Sequence, residues 1–432
     1  MESKNDTFGH RFEMKQLLGR GASGEVHLAF DNYAQRDVAI KMNRLNLFDD
    51  PVAGNRNRKM WLNEARLAGK LKHPFIVQIY EAGSTDEFNY IVMEYMAGGS
   101  LKQFTTADKL LPINKLIDIL YKVCNALDFA TKLGVLHRDV KPANVLLGAG
   151  GEVKISDFGA AFSIESDLTQ VDMVGTLPFV APEHFRKALP SQQNDIYAVG
   201  VMAYQLLTGR YPFTAKSPED LIYQKLNEEA MSLEGWRNDI PQALRFAVHR
   251  AMHPDRELRY TSWKAFFDDL VTALPQISTI QEESNIDSTR FNFMRKFKFF
   301  SDFTDIEIWE TLGLSRPLSM GSGKVIIQEG KVGNNLFVIT KGEVVVTKNG
   351  KEINRMGVGD CFGEIGYLDE TRHLRSSSVT SAVSLELIEI EGKSLRRASE
   401  ALQFRFSKAL LRLMVEQMRN TDQLIFSMMS IE

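Results

Sequence analysis

Cysteine is nearly absent: Cys124 and Cys361 are the only two in 432 residues, too few and too far apart for a disulfide framework, as expected of a reducing compartment. Long hydrophobic runs are missing as well. No apolar stretch approaches the roughly 18 residues of a membrane span, and the opening Met1-Glu2-Ser3-Lys4-Asn5-Asp6 lacks the apolar core of a signal peptide. A cytoplasmic chain without a membrane partner is the expectation. Charge of one sign is not in excess either: the formal net charge is -3, which gives no basic footprint and no reason to expect nucleic acid. Histidine is sparse toward the C-terminus, where His373 is the only one after His253; that leaves too few for a histidine-ligated metal centre. Internal repeats and low-complexity tracts are also lacking.

What is present is ordinary globular composition, with 44% hydrophobic and 25% charged residues. The chain exceeds the roughly 250 to 300 residues that one core sustains, so at least two domains are expected. Residues 11–95 read as strands, with one amphipathic helical stretch from Met60 to Leu71 that carries Leu62, Ala65, Leu67 and Ala68 at helical spacing. Helical periodicity then takes over in Ile113–Leu133, Asp195–Leu207, Pro241–Ala251 and Ser262–Ala273. A polar, aperiodic stretch with Pro275 marks a linker over 274–290. Beyond it, residues 297–390 read as strand and turn, with short apolar runs such as Val325-Ile326-Ile327, Leu336-Phe337-Val338-Ile339 and Val344-Val345-Val346, and with Asn349-Gly350 as a hairpin signal. From Ser394 to Met428 apolar residues recur at helical spacing. The expected fold is α+β: a β-rich lobe and a helical lobe in 10–273, the linker, then a β jelly roll with closing helices in 291–432.

The chemistry-bearing residues lie in the first of these domains. Gly19, Gly21 and Gly24 precede Val26 in Gly19-Arg20-Gly21-Ala22-Ser23-Gly24-Glu25-Val26, where missing Cβ atoms let backbone N–H groups approach phosphates. A dinucleotide fingerprint would continue as a helix; here a strand follows, which favours a phosphate lid. Val38-Ala39-Ile40-Lys41 puts a lysine on an apolar strand, and Glu64 on the Met60–Leu71 stretch is its candidate partner. The specific signal is Leu136-His137-Arg138-Asp139-Val140-Lys141-Pro142-Ala143-Asn144 followed by Asp157-Phe158-Gly159. Phosphoryl transfer needs a carboxylate to take the hydroxyl proton, oxygen ligands for Mg²⁺, and cations that spread developing charge. Asp139, then Asn144 with Asp157, then Lys141 with Lys41 answer those needs in turn.

These motifs resemble the eukaryotic-type protein kinase family over about residues 10–273. The resemblance implies ATP as phosphate donor with Mg²⁺ held by Asn144 and Asp157. It also implies that Glu94 and Met96 offer backbone groups to adenine beside Ala39 and Val26, with Met93 at the gate of the pocket behind. Gly175-Thr176 and Ala181-Pro182-Glu183 match the peptide-positioning segment; Glu183 would pair with Arg259, and Asp195 would brace the catalytic loop. Lys141 and Thr176 resemble serine/threonine rather than tyrosine kinases, so the implied partners are protein substrates with such hydroxyls. Arg138 beside Asp139 is suited to an activation-loop phosphate on Ser163, Ser166 or Thr169, unless Glu165, Asp167 or Asp172 supplies that negative charge permanently.

The segment Gly359-Asp360-Cys361-Phe362-Gly363-Glu364-Ile365-Gly366 and then Arg375-Ser376-Ser377-Ser378-Val379 resembles a cyclic-nucleotide-binding domain. It implies that Arg375 and Ser376, with amides near Gly366, meet a cyclic phosphate and that Glu364 accepts the ribose 2′-hydroxyl, with Gly363 also in the site; Arg372 is the alternative arginine. Either cAMP or cGMP fits. The competing readings are a constitutive kinase whose jelly roll is a structural, docking or homodimerising module, and an ATP-binding scaffold, which would be expected to have lost Lys41, Asp139 or Asp157.

Overall fold

The computed structural model describes residues 4–21, 24–44, 66, 70–158, 162–163, 177–237, 239–273, 287–368 and 374–429. They fall into two compact units, one up to Thr279 and one from Ile280.

In the first unit, β1 (Phe12–Gly21), β2 (Gly24–Asp31), β3 (Arg36–Arg44), β4 (Ile79–Ser84) and β5 (Phe88–Glu94) form one sheet in the order β1-β2-β3-β5-β4. Side chains alternate across a strand, so β3 serves two faces. Val38 and Ile40 join Phe12, Ala29 and Val92 in a core on one side. Ala39 lies on the other with Val77, Ile91, Met93 and Met96, and alternation puts Lys41 on that same side.

Below the sheet the unit is helical. Helix Ile113–Lys132 buries Leu116, Ile117, Leu120, Cys124 and Leu127, and Trp263 of helix Trp263–Thr272 donates its indole N–H to Thr131 Oγ1 at 3.1 Å. Helix Gln192–Thr208 starts at a Ser191/Asn194 capping box and stops at Gly209 in the left-handed conformation, φ 72°. Two short ribbons, β6 (Val135–Leu136) with β9 (Phe162–Ser163) and β7 (Val145–Leu147) with β8 (Val153–Ile155), bracket the loop 137–144. Helix Lys4–Arg11, unexpected in a polar opening segment, packs Phe8 against Phe12, Phe88 and Tyr90. The expected helix Met60–Leu71 lies outside the described residues except for Arg66, Lys70 and Leu71.

The second unit is a jelly roll of two antiparallel sheets. One is β10 (Ser315–Met320), β17 (Leu385–Ile390), β12 (Leu336–Lys341) and β15 (Cys361–Phe362); the other is β11 (Val325–Ile327), β16 (Ser378–Ser381), β13 (Val344–Lys348) and β14 (Lys351–Met356). Ile327, Phe337, Ile339, Val344, Val346, Phe362, Val379, Leu385 and Leu387 fill the space between. Asn349 and Gly350 both take positive φ, 50° and 75°, as a tight β13–β14 hairpin requires.

Helices replace the expected linker and strand texture in two places. Helix Asp287–Lys296 includes the last four residues of the 274–290 stretch, because Phe291 stacks on Trp309 at 4.5 Å and anchors it. Helix Asp305–Gly313 begins at a capping box in which Thr304 and Glu307 satisfy each other's backbone N–H. Helix Glu400–Met429 closes the unit, burying Leu402, Phe406 and Leu410.

Candidate active site and ligand pocket

The loop 137–144 is held from below by one carboxylate. Asp195, in the first turn of its helix, accepts the backbone N–H of His137 and of Arg138, each at 2.8 Å. Burial raises the pKa of Asp195, and those N–H groups together with nearby His137 and Arg138 oppose the rise. The fully buried His137 ring places Nε2 2.9 Å from Ser156 O, while Nδ1 lies 3.2 Å from the Asp139 N–H. A ring that donates through Nε2 and accepts at Nδ1 satisfies both partners. Arg138 takes φ 65° and Asp157 φ 63°, a region costly for non-glycine residues and commonest where function demands a turn.

At the top of this loop the charged groups converge. Lys141 Nζ lies 2.8 Å from Asp139 Oδ2, and Asn144 Nδ2 donates to the Asp139 carbonyl at 2.8 Å and to its Oδ2 at 3.1 Å. From the sheet above, Lys41 reaches Asp157 Oδ1 at 2.5 Å. The Lys41 ammonium is the largest influence holding the Asp157 carboxyl below its usual range, against desolvation. Behind it, buried Phe158 lies 4.5 Å from the His137 ring, centroid to centroid. Because the Asn144 amide nitrogen turns to Asp139, its oxygen is the atom that Asn144 offers a cation. With Asp157 this makes an oxygen-only donor set, the kind a hard Mg²⁺ ion takes.

An apolar slot adjoins these charges. Ala39, Met93 and Met96 pack with Val26 from the sheet and with Leu146 of β7, from the opposite lobe. Leu146 was not singled out from the sequence, although its position two residues after Asn144 was the available signal. Glu94 donates its N–H to Gln78 O at 2.9 Å, and its side chain takes Lys154 Nζ at 2.8 Å. Its own N–H is thus committed to Gln78 and its carboxylate to Lys154. In the glycine hairpin, Gly19 pairs with Val26 and Gly21 with Gly24. Gly24 has φ 115°, and a Cβ there would meet Met42 O at 2.2 Å, so only glycine fits.

Glu183 and Arg259 form a buried pair with two parallel bonds of 2.7 Å, which ties Ala181-Pro182-Glu183 to the helical lobe. Glu64, Gly159, Ser166, Thr169, Gly175 and Thr176 lie outside the described residues, as does the Ser163 side chain.

In the jelly roll, Gly363, Glu364, Arg375 and Ser376 lie together in one region. Arg375 is buried and donates through Nη1 to Gly363 O at 2.9 Å and through Nη2 to Asn335 O at 3.0 Å. Burial lowers its pKa, with Glu364 and Glu389 opposing. A Cβ on Gly333, Gly363 or Gly366 would come within 2.9–3.0 Å of its guanidinium. Glu364 opens the helix Glu364–Leu368 and is buried. Sequence reading missed Asn335, whose side chain also accepts the Gly392 N–H at 3.3 Å and donates to Glu389 at 2.6 Å. Arg372 is outside the described residues.

A β-rich lobe and a helical lobe, with a carboxylate loop and a lysine–aspartate pair beside an apolar slot, define the two-lobed architecture of a protein kinase domain. The chain belongs to the protein kinase family: the protein kinase domain matches residues 12–271, and the cyclic nucleotide-binding domain matches 317–401. It is 34% identical over 265 residues to the serine/threonine-protein kinase PrkC of Bacillus subtilis, covering 61% of this chain and 40% of that one. Against the serine/threonine-protein kinase PknB of Mycobacterium leprae the identity is 36% over 269 residues, covering 60% and 42%. A probable PknB of Lactococcus lactis is 35% identical over 269 residues, covering 62% and 42%. The chain spans about two-fifths of the length of these relatives.

Proposed function

We propose that this chain is a serine/threonine protein kinase that transfers the ATP γ-phosphate to protein hydroxyls and is regulated by a cyclic nucleotide in its C-terminal domain. The observation that carries the first part is Asp139, positioned by Lys141 and Asn144 beside the Lys41–Asp157 pair. Asp139 orients the incoming hydroxyl and takes its proton as the oxygen bonds to the γ-phosphorus, and the bond from that phosphorus to the ADP oxygen breaks. Lys41 and Lys141 spread the charge that develops, while Glu64 is the proposed orienting partner of Lys41. Magnesium bound by Asn144 and Asp157 supplies further positive charge at the phosphate oxygens. Val26, Ala39 and Leu146 clasp the adenine, backbone groups of Glu94 and Met96 meet its edge, and Gly19, Gly21 and Gly24 allow close approach to the phosphates. The relatives' printed names support serine and threonine as acceptors.

The test is transfer of labelled phosphate from Mg-ATP to histone. Asp139→Asn is expected to slow it by about 10²- to 10⁴-fold, with ATP affinity kept; a wild type that transfers nothing refutes the reading.

One observation favours a second reading, in which the jelly roll is a structural or docking module: both terminal nitrogens of Arg375 already have carbonyl partners. Calorimetry with cAMP and cGMP separates the two. We assign the chain to the cytoplasm. Cys124 and Cys361 are buried free thiols, and no helix among the described residues is long and apolar enough to cross a membrane.

A further inference from the structure

Lys225 sits in helix Pro218–Asn227, is 1% exposed, and has no carboxylate partner among the described residues. Desolvating an ammonium is costly unless its protons are met. Here they are met by backbone alone: Nζ donates to Leu177 O at 3.2 Å, Pro178 O at 2.7 Å and Val180 O at 2.6 Å. The Tyr197 ring lies 4.9 Å from Nζ and also 4.9 Å from Arg259 Cζ. The charged groups that face Lys225 are thus Arg259, which disfavours its proton, and Glu183, which favours it. The three carbonyls come from four consecutive residues just before Ala181-Pro182-Glu183, the segment that resembles the peptide-positioning element. Arg259 and Glu183 anchor one end of that segment; a single ammonium gathers the rest.

We propose that Lys225 is a positioning residue for the protein substrate, its ammonium fixing the backbone of 177–180 so that the acceptor peptide is presented to Asp139. The proposal rests on the kinase reading above. An ammonium has three N–H donors for three carbonyls; a neutral amine has two, and its lone pair would face an oxygen. Desolvation by burial, the largest influence, brings the Lys225 pKa down to about 7. The third bond is therefore present below that pH and lost as pH rises through it.

The experiment uses the full chain and its Lys225→Met and Lys225→Arg variants, with histone as acceptor and Mg-ATP as donor. Lys225→Met is expected to raise the KM for histone about tenfold, the scale of one charge-assisted hydrogen bond, with the KM for ATP unchanged. Wild-type KM for histone should rise between pH 6 and 8.5, and in Lys225→Arg, which stays charged, it should not; that profile carries the test if the Met variant fails to fold. An active wild type whose Met variant keeps the wild-type histone KM overturns this proposal alone. A wild type that transfers no phosphate overturns it together with the kinase reading.

Discussion

Burial makes His73 a neutral residue. Its ring stacks on Phe129 at 5.0 Å and accepts the Phe75 N–H at Nδ1, and desolvation, aided by Lys154, lowers its pKa to about 3. The unfolded chain protonates this imidazole near pH 6.5. The stability it contributes is therefore complete above that pH and is lost as pH falls toward 3, by about 2 kcal/mol at pH 5. Urea titrations at pH 7 and pH 5 should show that loss in the wild type and a smaller one in His73→Phe. At this scale the sequence is legible where chemistry is contiguous: Asp139, Lys141 and Asn144 lie within one loop whose spacing dictates their meeting. Which backbone group of Glu94 is already committed was not legible, because its N–H goes to the carbonyl of Gln78 on a neighbouring segment.

Helix Glu400–Met429 has two apolar faces. One buries Leu402, Phe406, Ala409 and Leu410, and the other leaves Phe404, Leu411 and Met418, seven residues apart, 62–67% exposed. A seven-residue apolar repeat suits pairing with an identical helix, and Met414 and Val415 lie between its members. We expect a homodimer through this stripe, with Leu411→Glu shifting it to monomer in sedimentation equilibrium; a monomeric wild type refutes the interface. Elements with strong periodicity, such as Ile113–Lys132, were readable to within a residue or two. Helix Asp305–Gly313 was not read, although its capping box was printed in Thr304 and Glu307. Helix Asp287–Lys296 gave a weaker signal, since its anchor is Trp309 on another helix.

For the molecule as a whole, the question is whether the ligand domain speaks to the kinase domain. Arg375 holds Asn335 O, and the Asn335 side chain in turn meets Gly392 at the start of helix Gly392–Leu395. An anion that drew Arg375 away would perturb this chain of bonds within the second unit. A regulated kinase should change its histone phosphorylation rate by about 5- to 150-fold on adding cAMP or cGMP, the usual range of allosteric coupling. Arg375→Ala should abolish the response to either nucleotide, and because it also removes the bonds to Gly363 and Asn335 it is compared with its own nucleotide-free rate. Equal rates with and without either nucleotide would leave the jelly roll as a structural module.

By itself the sequence determined the two-domain plan, the β3 lysine, the loop 137–144 and the hairpins, because backbone preference and side-chain chemistry act over a few neighbouring residues. The tertiary structure alone decided what lies far apart in the chain: the Lys41–Asp157 pair across 116 positions, Leu146 facing Val26 and Ala39, and Arg375 spanning Gly363 and Asn335. It also decided the charge of Lys225, since a lysine in an amphipathic helix reads as solvated until long-range packing removes the water and supplies three carbonyls in its place.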